Sequence, residues 1–232
     1  MKVKKKYIYT DQTSLWGEPE CMGFGTEGFY IKEIDRKVAN QYIVENHYSG
    51  KFYNATYIHL GLIVNDVLQG VLQYGYAMNP MSMASVVEGT KKDEYLELNR
   101  MHLQDGIGDY VESQAVSMSI KYIKKKYPKI RWIQSFADER CGGFGIVYQA
   151  CSFSYYGEHD SIFWELDGEV YHNSLMTRNP ELSKSARHLQ ENKERATSSK
   201  LRQFRYIKFL DQREKKKCLL KEQPYPKHYN ND

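Results

Sequence analysis

The stretch 135–150, SFADERCGGFGIVYQA, carries the residue types best suited to chemistry. Asp138 stands where the apolar run 130–133 should end as a strand. Gly142, Gly143 and Gly145 follow, and then 146–150, long enough for one or two helical turns. Strand, glycine turn, short helix and a second strand from Cys151 can build a pocket. Glycines let backbone N–H groups approach a ligand, and a helix start can hold an anion. Ligands of open α/β sheets lie beyond the carboxyl ends of strands, and Asp138 and Tyr148 flank that opening. A carboxylate there can accept a proton and a phenol can give one. The simpler alternative is that Asp138 caps a helix and Tyr148 belongs to the core. Cys141, in the same loop, is either a reactive thiol or a bystander.

Two other segments could reach this opening. Residues 94–103, EYLELNRMHL, alternate apolar and polar and read as a strand with Leu96, Leu98 and Arg100 on one face. An arginine among leucines is costly unless paired, so the spacing predicts that Arg100 meets Asp138 at the mouth of the neighbouring strand. His47 and Tyr48 fall on the turn that should end the first helix. A neutral imidazole offers a lone pair near pH 7, as a base or a metal ligand, or serves structure alone.

The elements that must position these groups follow from periodicity. A short strand at 29–34 precedes a helix capped by Asp35, with Val38, Ala39, Tyr42 and Ile43 at helical spacing. Asn65-Asp66 joins strands at 56–64 and 70–76 as a hairpin, and 80–90 reads as loop. The run QDGIG leads into a long helix ending before Pro128, with lysines in its last turn. Strands at 152–156 and 162–166 follow, then a poorly patterned helix over 173–203 and a strand over 204–210. The first strands pair as a hairpin and later ones are separated by helices, so the sheet is mixed rather than doubly wound.

The chain has 232 residues and a formal net charge of +4. From Arg178 to Lys217 there are 13 Lys/Arg against 5 Asp/Glu. A basic arm on an acidic body points to a polyanion, and Lys200, Arg202, Arg205 and Lys208, interleaved with aromatics, are the expected contacts to phosphates. A solvated charged face is the alternative. No apolar run reaches the ~18 residues of a membrane span. Cys21, Cys141, Cys151 and Cys218 form no CxxC pair, which fits a reducing, cytoplasmic setting.

Several blocks, in order, carry a likeness: His47-Tyr48-Ser49, Leu98-Asn99-Arg100, Ser113, Ser135-Phe136-Ala137-Asp138, Gly142, Gly145, Tyr148-Gln149-Ala150 and the late Leu210-Asp211 with Gln223-Pro224-Tyr225-Pro226-Lys227. Together they resemble the Mom family of bacteriophage DNA-modification proteins, within the GNAT superfamily of acyl-CoA N-acyltransferases. The resemblance implies a mixed, mostly antiparallel sheet flanked by helices with a basic C-terminal extension. The expected division is an irregular lead-in over 1–27, a catalytic domain over 28–172 and the extension, a DNA-binding arm packing back on the core, over 173–232. It further implies a transferase that places a methylcarbamoyl-type group on N6 of adenine in double-stranded phage DNA, inside the bacterial host, so that the DNA escapes restriction. A GNAT enzyme acting on a protein, tRNA or small amine, or a DNA-binding protein without activity, are the alternatives. Its active-site positions fall on His47, Tyr48, Arg100, Ser113, Asp138 and Tyr148. Acetyl-CoA is the implied donor, held by Met101, Leu103, Gly106 and Gly108 and by Gly142 and Gly145. Iron is the implied metal, on His47, Tyr48 and Asp138, an N/O set that suits it. Three positions depart from the usual pattern. The Gln104 run is one residue short, Ser152 replaces a glycine, and Gly143 stands where relatives carry histidine.

In that reading Asp138, positioned by Arg100, accepts an N6 proton. Tyr48, Tyr148 and Phe144 stack on a flipped base, and Tyr148 protonates a departing thiolate.

Overall fold

The computed structural model describes residues 8–9, 23–26 and 28–227. Most of the lead-in, Cys21 included, lies outside the described residues. The rest form one ten-stranded sheet. Its first half runs in chain order: β1 (Ile8–Tyr9), β2 (Gly23–Thr26), β3 (Phe29–Glu33), β4 (Thr56–Val64), β5 (Val67–Gly75), β6 (Tyr95–Leu103) and β7 (Trp132–Asp138). The second half does not, because β10 (Thr197–Phe209) lies between β7 and β8 (Ser154–Leu166), and β9 (Glu169–His172) takes the edge. Every pair is antiparallel except β6 with β7. The mixed, mostly antiparallel sheet expected from the sequence is the one found.

The helices sit where the patterning requires. α1 (Arg36–Asn46) starts at Asp35, whose side chain accepts from Lys37 N at 2.7 Å. It covers one face through Ala39 and Ile43 against Val71. Asn65 and Asp66, at φ 47° and 64°, make the left-handed turn of the β4–β5 hairpin. α2 (Val111–Lys126) buries a wide stripe on the opposite face against Leu60, Leu72, Leu96 and Ile133. α3 (Ile146–Ala150) packs on the same side, bringing Tyr148 against Phe153 and Tyr206.

Three expectations need correction. Residues 173–203 are not a long helix. They hold short 3-10 turns, α4 (Lys184–Glu191) and the first half of β10. Thirteen residues of the expected extension, β10, fill the gap between β7 and β8, so the boundary at 172 falls inside one sheet. Strands expected at 152–156 and 162–166 are a single β8. The short α5 (Gln212–Lys215) follows β10, and Cys218 returns only as an isolated bridge to Val87.

The β6–β7 pair positions the site. It runs from Tyr95↔Trp132 to Leu98↔Ser135 and then stops, although both strands continue. The strands therefore part beyond Leu98 and Ser135 and leave an opening between them. β6 also carries a bulge against β5: Leu98 lies opposite Tyr74 and Arg100 opposite Gln73, with Asn99 as the extra residue. An extra residue reverses the alternation of faces. Leu98 looks toward α2, while Arg100 looks the other way. The bulge thus removes Arg100 from the leucine stripe on which simple alternation put it.

Candidate active site

A cavity of about 480 Å³ opens on the α1 face, where β6 and β7 diverge. Tyr48 and Ser49 border it from the turn after α1, and Met78 and Met83 from the 77–85 segment. Glu97, Asn99 and Arg100 come from β6, and Gln134, Phe136 and Asp138 from β7. Ser161 and Phe163 of β8, with Gln203 and Arg205 of β10, close the far wall. β10 thus supplies part of the site from late in the chain.

Asp138 is buried at the end of β7, 7% exposed. Its carboxylate accepts from Arg140 Nε at 3.1 and 3.0 Å, from Arg140 Nη2 at 2.5 Å, and from the Arg140 backbone N–H at 3.0 Å. The Tyr48 hydroxyl donates to Oδ2 at 3.3 Å. Burial raises the carboxyl, but the Arg140 hydrogen bonds and charge, helped by the Gln203 amide, outweigh it and hold Asp138 below its ordinary range. Asp138 is therefore both the cap of the turn that follows and a carboxylate on the cavity wall. Arg140 lies between the rings of Phe163 and Tyr48, 4.1 and 5.1 Å from their centroids. Arginine two residues after an Asx cap is a local geometry that the sequence contains, though nothing in its spacing marks it as functional.

Arg100 lines the same cavity but does not meet Asp138. Its Nε donates to the Lys51 carbonyl at 3.1 Å and Nη1 to the Asn99 carbonyl at 2.7 Å. Among the described residues it has no carboxylate partner within ion-pair distance. Burial lowers its pKa, as desolvation does for any cation, and the nearby Glu97 only partly offsets this.

Tyr148 is on the other side of the sheet. It is buried beneath α3 in the core with α2 and does not line the cavity. Burial, eased by the Ser135 hydroxyl, pushes its phenol up to about 12, so it keeps its proton at neutral pH. Phe144 packs on that side too, edge-on to Phe204. Aromatic surface on the cavity side comes instead from Tyr48, Tyr53, Phe136 and Phe163. Ser113 lies on α2, donating to the Tyr110 carbonyl at 2.9 Å and bordering a separate hollow with Gln114 and Lys121. Asp138 and Arg100 share a cleft; Tyr148 and Ser113 face away from it.

The metal set does not fit iron as arranged. His47 Nδ1 accepts the Ser49 N–H at 3.1 Å, which leaves the ring proton on Nε2. Burial, with Arg100 nearby, lowers His47 to about 4, so the ring is neutral. Burial and Asp138 raise the Tyr48 phenol, and both Asp138 oxygens hold Arg140. No group of three His, Cys, Asp or Glu converges among the described residues.

At the start of α2, Gly106 and Gly108 have φ of 76° and 145°, and a Cβ on Gly106 would meet nothing within 4 Å. Tyr110 caps the helix without a side-chain bond, so its first N–H groups have no side-chain cap. Leu103 and Met101 turn into the α2 core. Gly142 and Gly145 adopt φ of 67° and 76° around α3.

The four cations of β10 do not form one stripe. Lys200 pairs with Asp160 at 2.6 Å, and Arg202 with Glu139 at 2.7 Å. Lys208 donates to the Cys151 carbonyl at 2.9 Å. Arg205 points into the cavity and donates to Gln134 Oε1 at 3.1 Å. No helix among the described residues is long and apolar enough to cross a membrane.

Residues 28–227 match a model of the Mom protein family. The chain is 44% identical over 229 residues, covering 97% of itself and 95% of its relative, to the methylcarbamoylase mom of Escherichia phage Mu. Among solved structures, a ribosomal-protein-S5-alanine acetyltransferase from Vibrio fischeri aligns with 82% of this chain and 97% of its own at 12% identity and a TM-score of 0.49. A putative acetyltransferase from Salmonella typhimurium, solved with acetyl-CoA, aligns with 79% and 95% at 8% identity and a TM-score of 0.47. The match along nearly the whole chain shows that this protein belongs to the Mom family.

Proposed function

We propose that the chain is a transferase that adds a methylcarbamoyl-type group to N6 of adenine in phage DNA, within the host cytoplasm, and so protects that DNA from restriction. The observation that carries this reading is the aromatic-walled cavity of about 480 Å³ beside Asp138, roomy enough for a purine. It is supported by the identity to a methylcarbamoylase. The catalytic unit spans residues 28–227, because β10 supplies Gln203 and Arg205 to the cavity.

An adenine inside a duplex must leave the stack, at a cost of a few kcal/mol. Tyr48, Phe136 and Phe163 offset that cost by holding the ring. The N6 lone pair is delocalised into the purine, so the amine is a poor nucleophile. Asp138 accepts a hydrogen bond from N6–H and draws density onto nitrogen, while Arg140 keeps the carboxylate ionised. Asp138, held below the ordinary range, is a weaker base than a free carboxylate. Its role is to polarise N6 and to hold Arg140 and Tyr48 in place. Arg100, lacking a carboxylate partner, takes a phosphate of the flipped nucleotide. Arg178, exposed near Tyr53, suits the flanking backbone.

Acetyl-CoA is the proposed carbon donor; when bound it would supply a two-carbon unit as a thioester, and the amide nitrogen of the methylcarbamoyl-type group must come from a second, nitrogen-bearing reactant. The backbone of 104–112 suits a pyrophosphate through the open glycine turn and the N–H groups of α2. The side chains oppose it, because Asp105, Asp109 and Glu112 crowd the turn and no Lys or Arg occurs between Met101 and Ile120. Asp109→Asn is accordingly expected to tighten coenzyme A binding about two- to fivefold by calorimetry. Unchanged affinity would place the pyrophosphate elsewhere. Tyr148 holds a proton on its phenol across the sheet. No step is assigned to iron.

Nucleoside mass spectrometry of plasmid DNA from cells expressing the protein tests the function. A new modified deoxyadenosine is expected. Unmodified DNA together with acyl transfer to another amine, or DNA retention with neither, would overturn it.

A further inference from the structure

The floor of the cavity holds a polar network that the chemistry above does not use. Glu97 is half-buried, and desolvation pushes its carboxyl up. Asn99 Nδ2 donates to Glu97 Oε1 at 2.9 Å and to the Tyr76 carbonyl at 3.2 Å. Gln134 Nε2 donates to Glu97 Oε2 at 2.6 Å, and Gln134 Oε1 accepts from Arg205. These partners fix the orientation of both amides. Turning Asn99 over would set its oxygen against a carboxylate and a carbonyl, two acceptors. Its Nδ2 hydrogens are thus both committed, and Oδ1 is left buried without a partner on a residue that lines the cavity. Gln203 shows the complementary defect. Its Nε2 is a buried donor that leans on the Asp138 carboxylate without a well-formed hydrogen bond to it, on a residue lining the same cavity and paired in register with Asp138. Buried polar atoms without partners are costly and mark places where a partner is missing.

We infer that Asn99 reads the exocyclic amino group of the acceptor base and Gln203 an adjacent ring nitrogen, so that the cavity selects a 6-aminopurine over a 6-oxopurine. The inference rests on the reading of adenine as acceptor. Adenine presents N6–H, a donor, between N1 and N7, both acceptors. An acceptor from Asn99 beside a donor from Gln203 matches that edge. Hypoxanthine and guanine place O6 where N6 would be, and two oxygens meet lone pair to lone pair. Because Asn99 cannot turn over, the mismatch cannot be relieved. Glu97 touches no base in this arrangement. It is a positioning residue that acts by locking the Asn99 amide.

The test is equilibrium binding, by fluorescence anisotropy and without any donor, to labelled duplexes carrying one unpaired adenine or one unpaired hypoxanthine. Wild type is expected to prefer adenine on the order of tenfold. Asn99→Leu should abolish the preference. Glu97→Gln retains the volume but allows both amides to turn over, so it should raise hypoxanthine affinity toward that for adenine, which a merely structural role would not do. Gln203→Leu should weaken adenine binding and leave hypoxanthine binding little changed, and it carries the test where Asn99→Leu does not fold. Equal affinities in wild type, or a preference that survives in the folded variants, would overturn the inference. A preserved preference with no modified nucleoside in cells would sink the proposed transfer and leave this pocket reading standing.

Discussion

Asp138→Asn is expected to slow DNA modification about 10²–10³-fold while DNA retention persists. Asparagine keeps the size and the turn cap but loses the charge. Arg140 then has no carboxylate within its reach and no longer stays fixed between Tyr48 and Phe163. The Tyr48 hydroxyl loses its anionic acceptor, and N6–H loses the group that polarises it. Mass spectrometry of a timed reaction on purified DNA measures the rate. Wild-type speed in the variant would remove Asp138 from the site. The pH profile gives a second check. The folded pKa of Asp138 is depressed, so its ionised, stabilising form is present above the unfolded value of about 3.9 and is lost only as pH falls through the lower folded value. His47, lowered to about 4, is neutral through the same window. Neither group should produce a limb between about pH 5 and 8. A limb there that vanishes in Asp138→Asn would show a raised carboxyl and contradict the Arg140 pairing.

Gly145→Ala is expected to cost about 3 kcal/mol, from about 1–2 for a left-handed backbone and about 1–3 for overpacking. Gly145 has φ 76°, and a Cβ there would lie 2.4 Å from Tyr206 Cε2 and 3.1 Å from Tyr148 Cδ2. Tyr206 cannot yield easily, because it is fully buried and bonded to the Phe144 carbonyl and, at 3.0 Å, to Gln149. For a chain of this size the loss should lower Tm by about 6–12 °C, read by calorimetry or circular dichroism. An unchanged Tm would mean that α3 can shift without disturbing the core.

Local chemistry was legible in the sequence and long-range pairing was not. Asp35, the Asn65-Asp66 turn and the α2 stripe each act within a few residues, and each lies where its pattern placed it. Asp138 ends its strand as expected. Simple alternation puts Arg100 on the wrong face because a bulge reverses it, and nothing within LELNRMHL marks a bulge. Glu97 reads as a solvent-facing acid in an alternating strand. It is half-buried instead, because the 77–85 segment and β10 cover that face, and both arrive from elsewhere. The polar run 173–203 looked helical by default, since periodicity says little where few apolar residues occur. The pairing of Lys200 and Arg202 with acids shows why a surplus of basic residues does not by itself locate a binding face.

Inserting β10 between β7 and β8 makes the molecule a closed circuit rather than a body with an appendage. Severed anywhere between His172 and Thr197, it would yield two fragments: one with the carboxylate and its arginines but an open seam, the other with Gln203 and Arg205 but nothing to face. Only their reunion would recreate a place for a base, so fragment complementation would report directly on sheet closure.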